Sequence, residues 1–223
     1  MEKHIETLTN SANCWERSSG VWLIGTHKLE NHIKRIIALL SDEEPIVGER
    51  CAWALGRLGK AGTFTHLHRQ YPWTNPWARP HFISAMQSLA GPEQIDDIRQ
   101  LLRIEGDTAL QARLVQLLQE VGGEKSIEII APYCGHTDDR LRKAALESIS
   151  LLTGKDATPL LEKGLQDRNL KIRGMCGEML LRMGNFRSLG VLSEMLNASE
   201  RQQRVLAAHT LREMAIRQKQ SSR

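Results

Sequence analysis

The sequence predicts an all-α fold, an α-solenoid or superhelix of about six to seven helical hairpins with a period of 31 residues. Three observations carry this. A pair of apolar anchors, Leu55 and Leu58, recurs as Met86 and Leu89, Leu118 and Val121, Ile149 and Leu152, Leu180 and Met183, and Leu211 and Met214. The step is 31 residues four times and 32 once, and one step backward from Leu55 lands on Ile24. Other columns keep the same ruler. Four residues before the first anchor stand Cys51, Phe82, Leu114, Ala145, Cys176 and Ala207, all apolar. Seven residues before it stand Arg17, Gly48, Arg79, Gln111, Arg142, Arg173 and Arg204, five of them Arg among seven. Finally, no segment alternates apolar and polar residues as a half-buried strand would.

Taken in order, residues 1–31 read as a degenerate first copy that caps the array, and residues 32–217 as the repeats proper. Each repeat opens with a short apolar segment, helix A: "HIKRIIALL", "QIDDIRQLL", "SIEIIAPY", "TPLLEKGL" and "LGVLSEML". A polar turn often follows, with Asp42, Asp107, Asp138, Asp167 or Glu200 in it. Helix B then carries apolar residues at i, i+4 and i+7 or i+8, the spacing of one helical face. Gly59, Gly91, Gly122, Gly154 and Gly184 close or nearly close several B helices, as C-terminal caps do. Helices this short cannot bury their faces alone, so stacking neighbours must build one continuous core. A single domain over 1–217 is expected, with 218–223 as a disordered tail.

Composition fits a soluble chain: 223 residues, 41% hydrophobic, 25% charged. The opening "MEKHIETLTN" is polar and lacks the layout of a signal peptide, and no apolar run reaches the ~18–20 residues that span a bilayer. A cytoplasmic location is expected, with no membrane contact. Cys14, Cys51, Cys134 and Cys176 are far apart and form no CxxC pair, which predicts free thiols. Net charge is +4. Residues 1–111 hold 12 Lys/Arg against 13 Asp/Glu, and residues 112–223 hold 18 against 13. A tilt this mild reads as a solvated helix surface rather than a nucleic-acid footprint.

"IVGERCAWALGRLG", "RLRKAALESISLLTG" and "KIRGMCGEMLLRMG" resemble HEAT repeats, in particular the short bacterial type first named for phycobilisome lyases. The resemblance covers nearly the whole chain, is specific for fold and says little of function. One unit departs from it: "YPWTNPWARPHF" has three prolines and two Trp where a plain turn belongs. The resemblance implies that Arg17, Arg79, Arg142, Arg173 and Arg204 form a structural ladder by bonding acidic residues of the turns. Asp138 with Arg142 and Asp167 with Arg173 fit that role; the competing reading is an anion-binding row. It also implies that the B helices line a concave surface.

Five of the few aromatic residues are Trp. Trp22 and Trp53 stand 31 residues apart in one column, and Trp15 and Trp77 stand 62 apart in another. With Cys51, Leu55 and Leu58 turned inward, the 100° helical step points Arg50, Trp53 and Arg57 away from the core. Trp15, Trp22, Arg50, Trp53, Arg57, Trp77 and His81 are therefore the candidate partner-binding residues, since Trp and Arg anchor protein interfaces. The alternative is that these rings pack between B helices or close the N-terminal end.

No metal is expected. His66, His68 and His81 cluster in sequence, but no Cys lies at ligand spacing. Catalytic residues are not identifiable: Cys134 precedes His136 in a turn that reads as exposed, without a third orienting group. Cys51 and Cys176 read as small buried apolar residues. No phosphate loop, HExxH or nucleophile elbow occurs, and no cofactor is expected.

The leading reading is a non-catalytic scaffold or adaptor, of the assembly-factor or immunity-inhibitor kind, that binds another protein. The alternatives are a bilin attachment or removal factor, implied by the phycobilisome-lyase resemblance, and a nucleic-acid-binding protein like the HEAT-like DNA alkylation-repair glycosylases. Against the last, the Trp residues and the positive charge fall in different halves.

Overall fold

The computed structural model describes residues 2–152, 157–183 and 188–221, with side chains through residue 216. Its described residues form helices and turns and no strand. They fall into two compact units, Met1–Leu117 and Leu118–Arg223, where the repeat ruler predicts one domain.

The first unit holds hairpins α1/α2 (Glu2–Thr9, Cys14–Thr26), α3/α4 (Ile33–Leu39, Pro45–Leu58) and α5/α6 (Phe64–Gln70, Arg79–Gln87). It continues through α7 (Ile95–Ile104) into α8 (Thr108–Val121), within which the boundary falls. The second unit holds α9/α10 (Glu124–Ile130, Asp139–Leu151), α11/α12 (Thr158–Gly164, Leu170–Met183) and α13/α14 (Leu189–Met195, Arg201–Ser221). The last helix reaches Ser221, so 218–221, read above as a disordered tail, are helical.

Most A helices are 7 residues long and most B helices 13 or 14. Seven-residue helices are far below the length that is stable alone in water, so they exist here because they are packed. Each B helix buries the apolar column. On α4 the inward residues are Val47, Cys51, Ala54, Leu55 and Leu58. In the second unit Leu146, Leu161, Leu165, Ile172, Cys176, Leu180, Leu192 and Met195 form one cluster.

Helix ends follow local chemistry. Pro45 opens α4, where a missing N–H costs nothing, and Gly59 closes it at φ 66, with its N–H on the Leu55 carbonyl. Gly122 also has a positive φ, 81. Gly91 differs from expectation: it is extended and starts the next 3-10 turn, whose Gln94 side chain caps its N–H. Gly154 and Gly184 lie outside the described residues. Met183, expected to be a core anchor, is exposed, because its column reaches the last residue of α12 just beyond the packed face.

In the first unit, α4 packs against both α2 and α6. Their close approach depends on two glycines in one column. A Cβ on Gly25 would come within 3.1 Å of the Ala54 Cα, and one on Gly56 within 3.0 Å of the Ala85 Cα.

Two outcomes follow. Gly56→Val should cost ~1–3 kcal/mol by overpacking, read as a lower thermal midpoint with helix content kept. All four cysteines are free. Burial pushes the thiols of Cys134 and Cys176 up to about 12 and that of Cys51 well above its ordinary value. In the native protein a maleimide should therefore label Cys14 first, and the other three only after denaturation.

Candidate functional site

The candidate face is built on α2, α4 and the start of α6. An Asn sits two residues before each of two Trp residues. Asn13 Oδ1 accepts the Trp15 backbone N–H at 2.9 Å, and Asn75 Oδ1 accepts that of Trp77 at 3.3 Å. The same cap thus sets both rings at the opening turn of a B segment. Trp15 is 67% exposed, Trp77 50%, and Trp22, two helical turns after Trp15, 45%. Trp53 is half-buried. It lies over Gly25, where a Cβ would sit 2.5 Å from its Cζ3, so the missing side chain on α2 makes the seat for the ring. The Arg50 and Arg57 guanidinium groups each lie 5.7 Å from the Trp53 ring centroid, a cation–π pair that also fixes where both charges stand. His81 Nε2 lies 3.3 Å from Glu49 Oε1, tying α6 to α4. Trp73 escaped the sequence reading because no column repeats it. It is 82% exposed, in a short 3-10 turn after α5.

The Arg column bonds acids of the turns, but not in the two pairings expected. Asp138 caps α10 through the Arg140 and Leu141 N–H groups, and within its own turn Arg142 donates from Nη2 to Asp139 Oδ1 at 2.7 Å. Its Nε and Nη2 donate to the two Asp167 oxygens, each at 2.8 Å, and Asp167 belongs to the turn of the next hairpin. Its Nη1 donates to the His136 and Thr137 carbonyls of its own turn. Arg17 repeats this geometry: Nε and Nη2 on Asp42, Nη1 on the Ser11 and Ala12 carbonyls. Arg173 likewise reaches forward, to Glu200, not to Asp167. The longer Glu meets the Nη1/Nη2 end of the guanidinium, and Arg173 Nε has no partner among the described residues. Arg79 donates to Glu105 at 3.3 Å and lies over the Tyr71 ring, whose hydroxyl also donates to Glu105. Arg204 bonds the Ala198 and Ser199 carbonyls of its own turn. The forward contacts of Arg17, Arg79, Arg142 and Arg173 run from the start of one B helix to the following turn because stacking sets those two places side by side.

Electrostatics follow. Burial alone would raise the Asp42 and Asp167 carboxyls. Hydrogen bonds from Arg17 or Arg142 and from the Glu44 or Asn169 N–H more than offset it, and both titrate below the ordinary carboxylate value. The Arg173 hydrogen bonds likewise lower Glu200.

The other candidates separate. His68 stacks on Phe64 and lies near Asp97, away from the His81–Glu49 pair. Among the described residues no group of three or more His, Cys, Asp or Glu is placed to hold a metal ion. Cys134, read from sequence as exposed, is partly buried against the core of its unit. His136 Nδ1 accepts the Asp138 N–H at 3.0 Å. No helix among the described residues is long and apolar enough to cross a membrane.

Residues 95–173 match the family model for HEAT repeats. The fold is an α-solenoid whose residues 95–173 carry HEAT repeats. Among solved structures, the chain is similar to the complex of CpcE and CpcF of phycocyanin lyase from Nostoc, at 21% identity and a TM-score of 0.56, covering 97% of this chain and 91% of that one. It is also similar to YibA of Escherichia coli, at 16% identity and a TM-score of 0.59, covering 89% and 76%. An engineered protein matches at 14% identity and a TM-score of 0.54, covering 96% and 68%. At these identities the likeness is one of fold. No curated protein matches the chain by sequence.

The rungs can be tested by charge removal. The Arg142 and Asp167 side chains are 6% and 8% exposed, and breaking such a pair from one side costs ~3 kcal/mol. Asp167→Asn should lower stability by about that much at pH 7 in urea unfolding. Because the folded Asp167 value lies below the unfolded one, ~3.9, the rung contributes fully above that pH. Its contribution is lost as pH falls through the folded value. The gap between wild type and variant should therefore close on acidification below about pH 4.

Proposed function

We propose that this solenoid is a non-catalytic interaction scaffold that docks a partner protein on the Trp- and Arg-bearing side of α2, α4 and α6. One observation supports this most: Trp15, Trp22 and Trp77 stay largely in water although each has a packed B helix beneath it. Large exposed rings rimmed by polar groups are what interaction sites present. Trp with neighbouring Arg is also the composition of interface hot spots. Trp53, held between Arg50 and Arg57, would enter the interface already ordered, so little entropy opposes docking.

The bilin-factor alternative has in its support the fold shared with the CpcE–CpcF structure and the repeat resemblance. Mixing the protein with a free bilin tests it: no change in the visible absorbance band would end it. The nucleic-acid alternative is disfavoured because the exposed rings stand in the part of the chain that holds more carboxylates than cations.

The scaffold reading predicts a separation of effects. Trp22→Ala and Trp77→Ala should leave the thermal midpoint nearly unchanged, since both rings are half in solvent. Each should weaken a partner recovered from native lysate and titrated as purified protein by ~2 kcal/mol, roughly 30-fold in Kd. Leu151→Ala, an exposed apolar residue on α10, serves as the control and should bind as wild type. Equal binding by all three variants would end the reading.

A further inference from the structure

The guanidinium ladder lacks a rung, and the gap is a cleft. Position 48 belongs to the Arg column, yet it is Gly48. By the geometry of Arg17 and Arg142, an arginine there would aim Nη1 at the carbonyls six and five residues earlier, those of Asp42 and Glu43. Among the described residues neither carbonyl receives a donor. The same arginine would turn its Nε and Nη2 edge toward the turn 25 residues on. In place of a carboxylate that turn has Trp73, which is 82% exposed. Between these groups lies a cleft of about 250 Å³ lined by Asp42, Glu43, Gly48, Glu49, Trp73 and Thr74, among others. The corresponding groove between the α9/α10 and α11/α12 turns is lined by Arg142 itself.

We propose that this cleft is a binding pocket for an arginine side chain of a partner protein, which supplies from outside the rung that Gly48 omits. The proposal rests on the scaffold reading and adds the chemistry of one contact. A guanidinium is called for rather than a compact ammonium, because the pocket offers what the fork geometry uses. Two adjacent carbonyl oxygens would take one edge, the carboxylates of Glu43 and Glu49 lie at the rim, and an indole face can stack on the plane. Asp42 is already bonded by Arg17 and the Glu44 N–H. Glu49 shares His81, which leaves Glu43, exposed and without an ion pair among the described residues, as the main counter-charge. The precedent lies in the same molecule: Arg17 and Arg142 already place a guanidinium at this position of their own hairpins, beside the same helix terminus.

The test uses the whole purified chain and a small probe, N-acetyl-arginine N-methylamide, with the citrulline analogue as a neutral isostere. The readout is the indole N–H resonance of Trp73, assigned with Trp73→Phe. The expected result is a saturable shift of that resonance with the arginine probe at millimolar concentration, and binding of the citrulline probe at least ~10-fold weaker. Gly48→Arg should fill the cleft from within and abolish the arginine response, while the other indole resonances stay in place. If that variant does not fold, Glu43→Gln, which is on the surface, should weaken the arginine probe ~3–10-fold. Equal responses to the two probes, or no saturable response in the wild type, would overturn the proposal. So would an unchanged response in folded Gly48→Arg. The outcome is separable from that of the scaffold reading. Loss of partner with Trp22→Ala but no probe binding removes the pocket alone. Probe binding with no effect of Trp22→Ala on the partner removes the face and leaves the pocket.

Discussion

The contact on which the rest of the structure depends is the guanidinium rung from the start of one B helix to the turn of the next hairpin. The apolar columns bury surface without direction, so by themselves they would tolerate a stack that slides by a turn. The rung does not. Asp42 holds the Glu44 N–H of its own turn and both forward-facing nitrogens of Arg17, while Arg17 uses its remaining nitrogen on the carbonyls of its own turn. Asp167 and Arg142 repeat the arrangement. At both rungs a turn acid meets the arginine of the preceding hairpin, and Arg142 also holds Asp139 of its own turn. Local turn structure and long-range stacking become one cooperative feature, as the nearest-neighbour logic of repeat arrays requires.

The variations in that column are graded by what each side chain can reach. Gln111 has one amide nitrogen to give, and it bonds the Leu102 and Glu105 carbonyls of its own hairpin. It keeps the turn-closing half of the arginine's work and drops the forward half. Arg79 keeps the forward carboxylate but shares it with the Tyr71 hydroxyl. Burial first, and then Glu105, hold that hydroxyl protonated well above its ordinary range. Gly48 drops both halves.

Much of this was legible in the sequence, because period and apolar face are properties of single helices. Leu55, Met86, Leu118, Ile149 and Leu180 are buried where the 31-residue ruler put anchors. What the sequence did not disclose was three-dimensional adjacency. An acid four residues before Arg142 and another 25 after it are equally plausible partners on paper; only the stack shows that Asp138 caps its own helix while Asp167 faces the Arg142 guanidinium. Gly91 and Met183 failed for a related reason, since a column that is regular in sequence can run past the end of its helix. The Trp residues were found through their column, and their exposure in the first unit agrees with the helical-wheel argument for Trp22 but less for Trp53. For Trp53 the deciding residue, Gly25, lies on a neighbouring helix.

The departures from the repeat concentrate in the second and third hairpins. Gly48 opens the ladder there, Tyr71 alters the next rung, and Trp73 and Trp77 stand in water on either side of Asn75. A stack shaped by stability alone would fill that gap. Gly48 itself has a packing reason, since a Cβ there would sit 3.1 Å from the Leu40 carbonyl oxygen, but burying even half of one Trp ring is worth on the order of 2 kcal/mol. Local rules broken together, in one place, with both neighbouring B helices still packed normally, are the pattern expected where a surface is kept for binding rather than for folding. The rigid hairpins on each side hold that surface in one conformation, so the irregular segment is positioned by the regular ones.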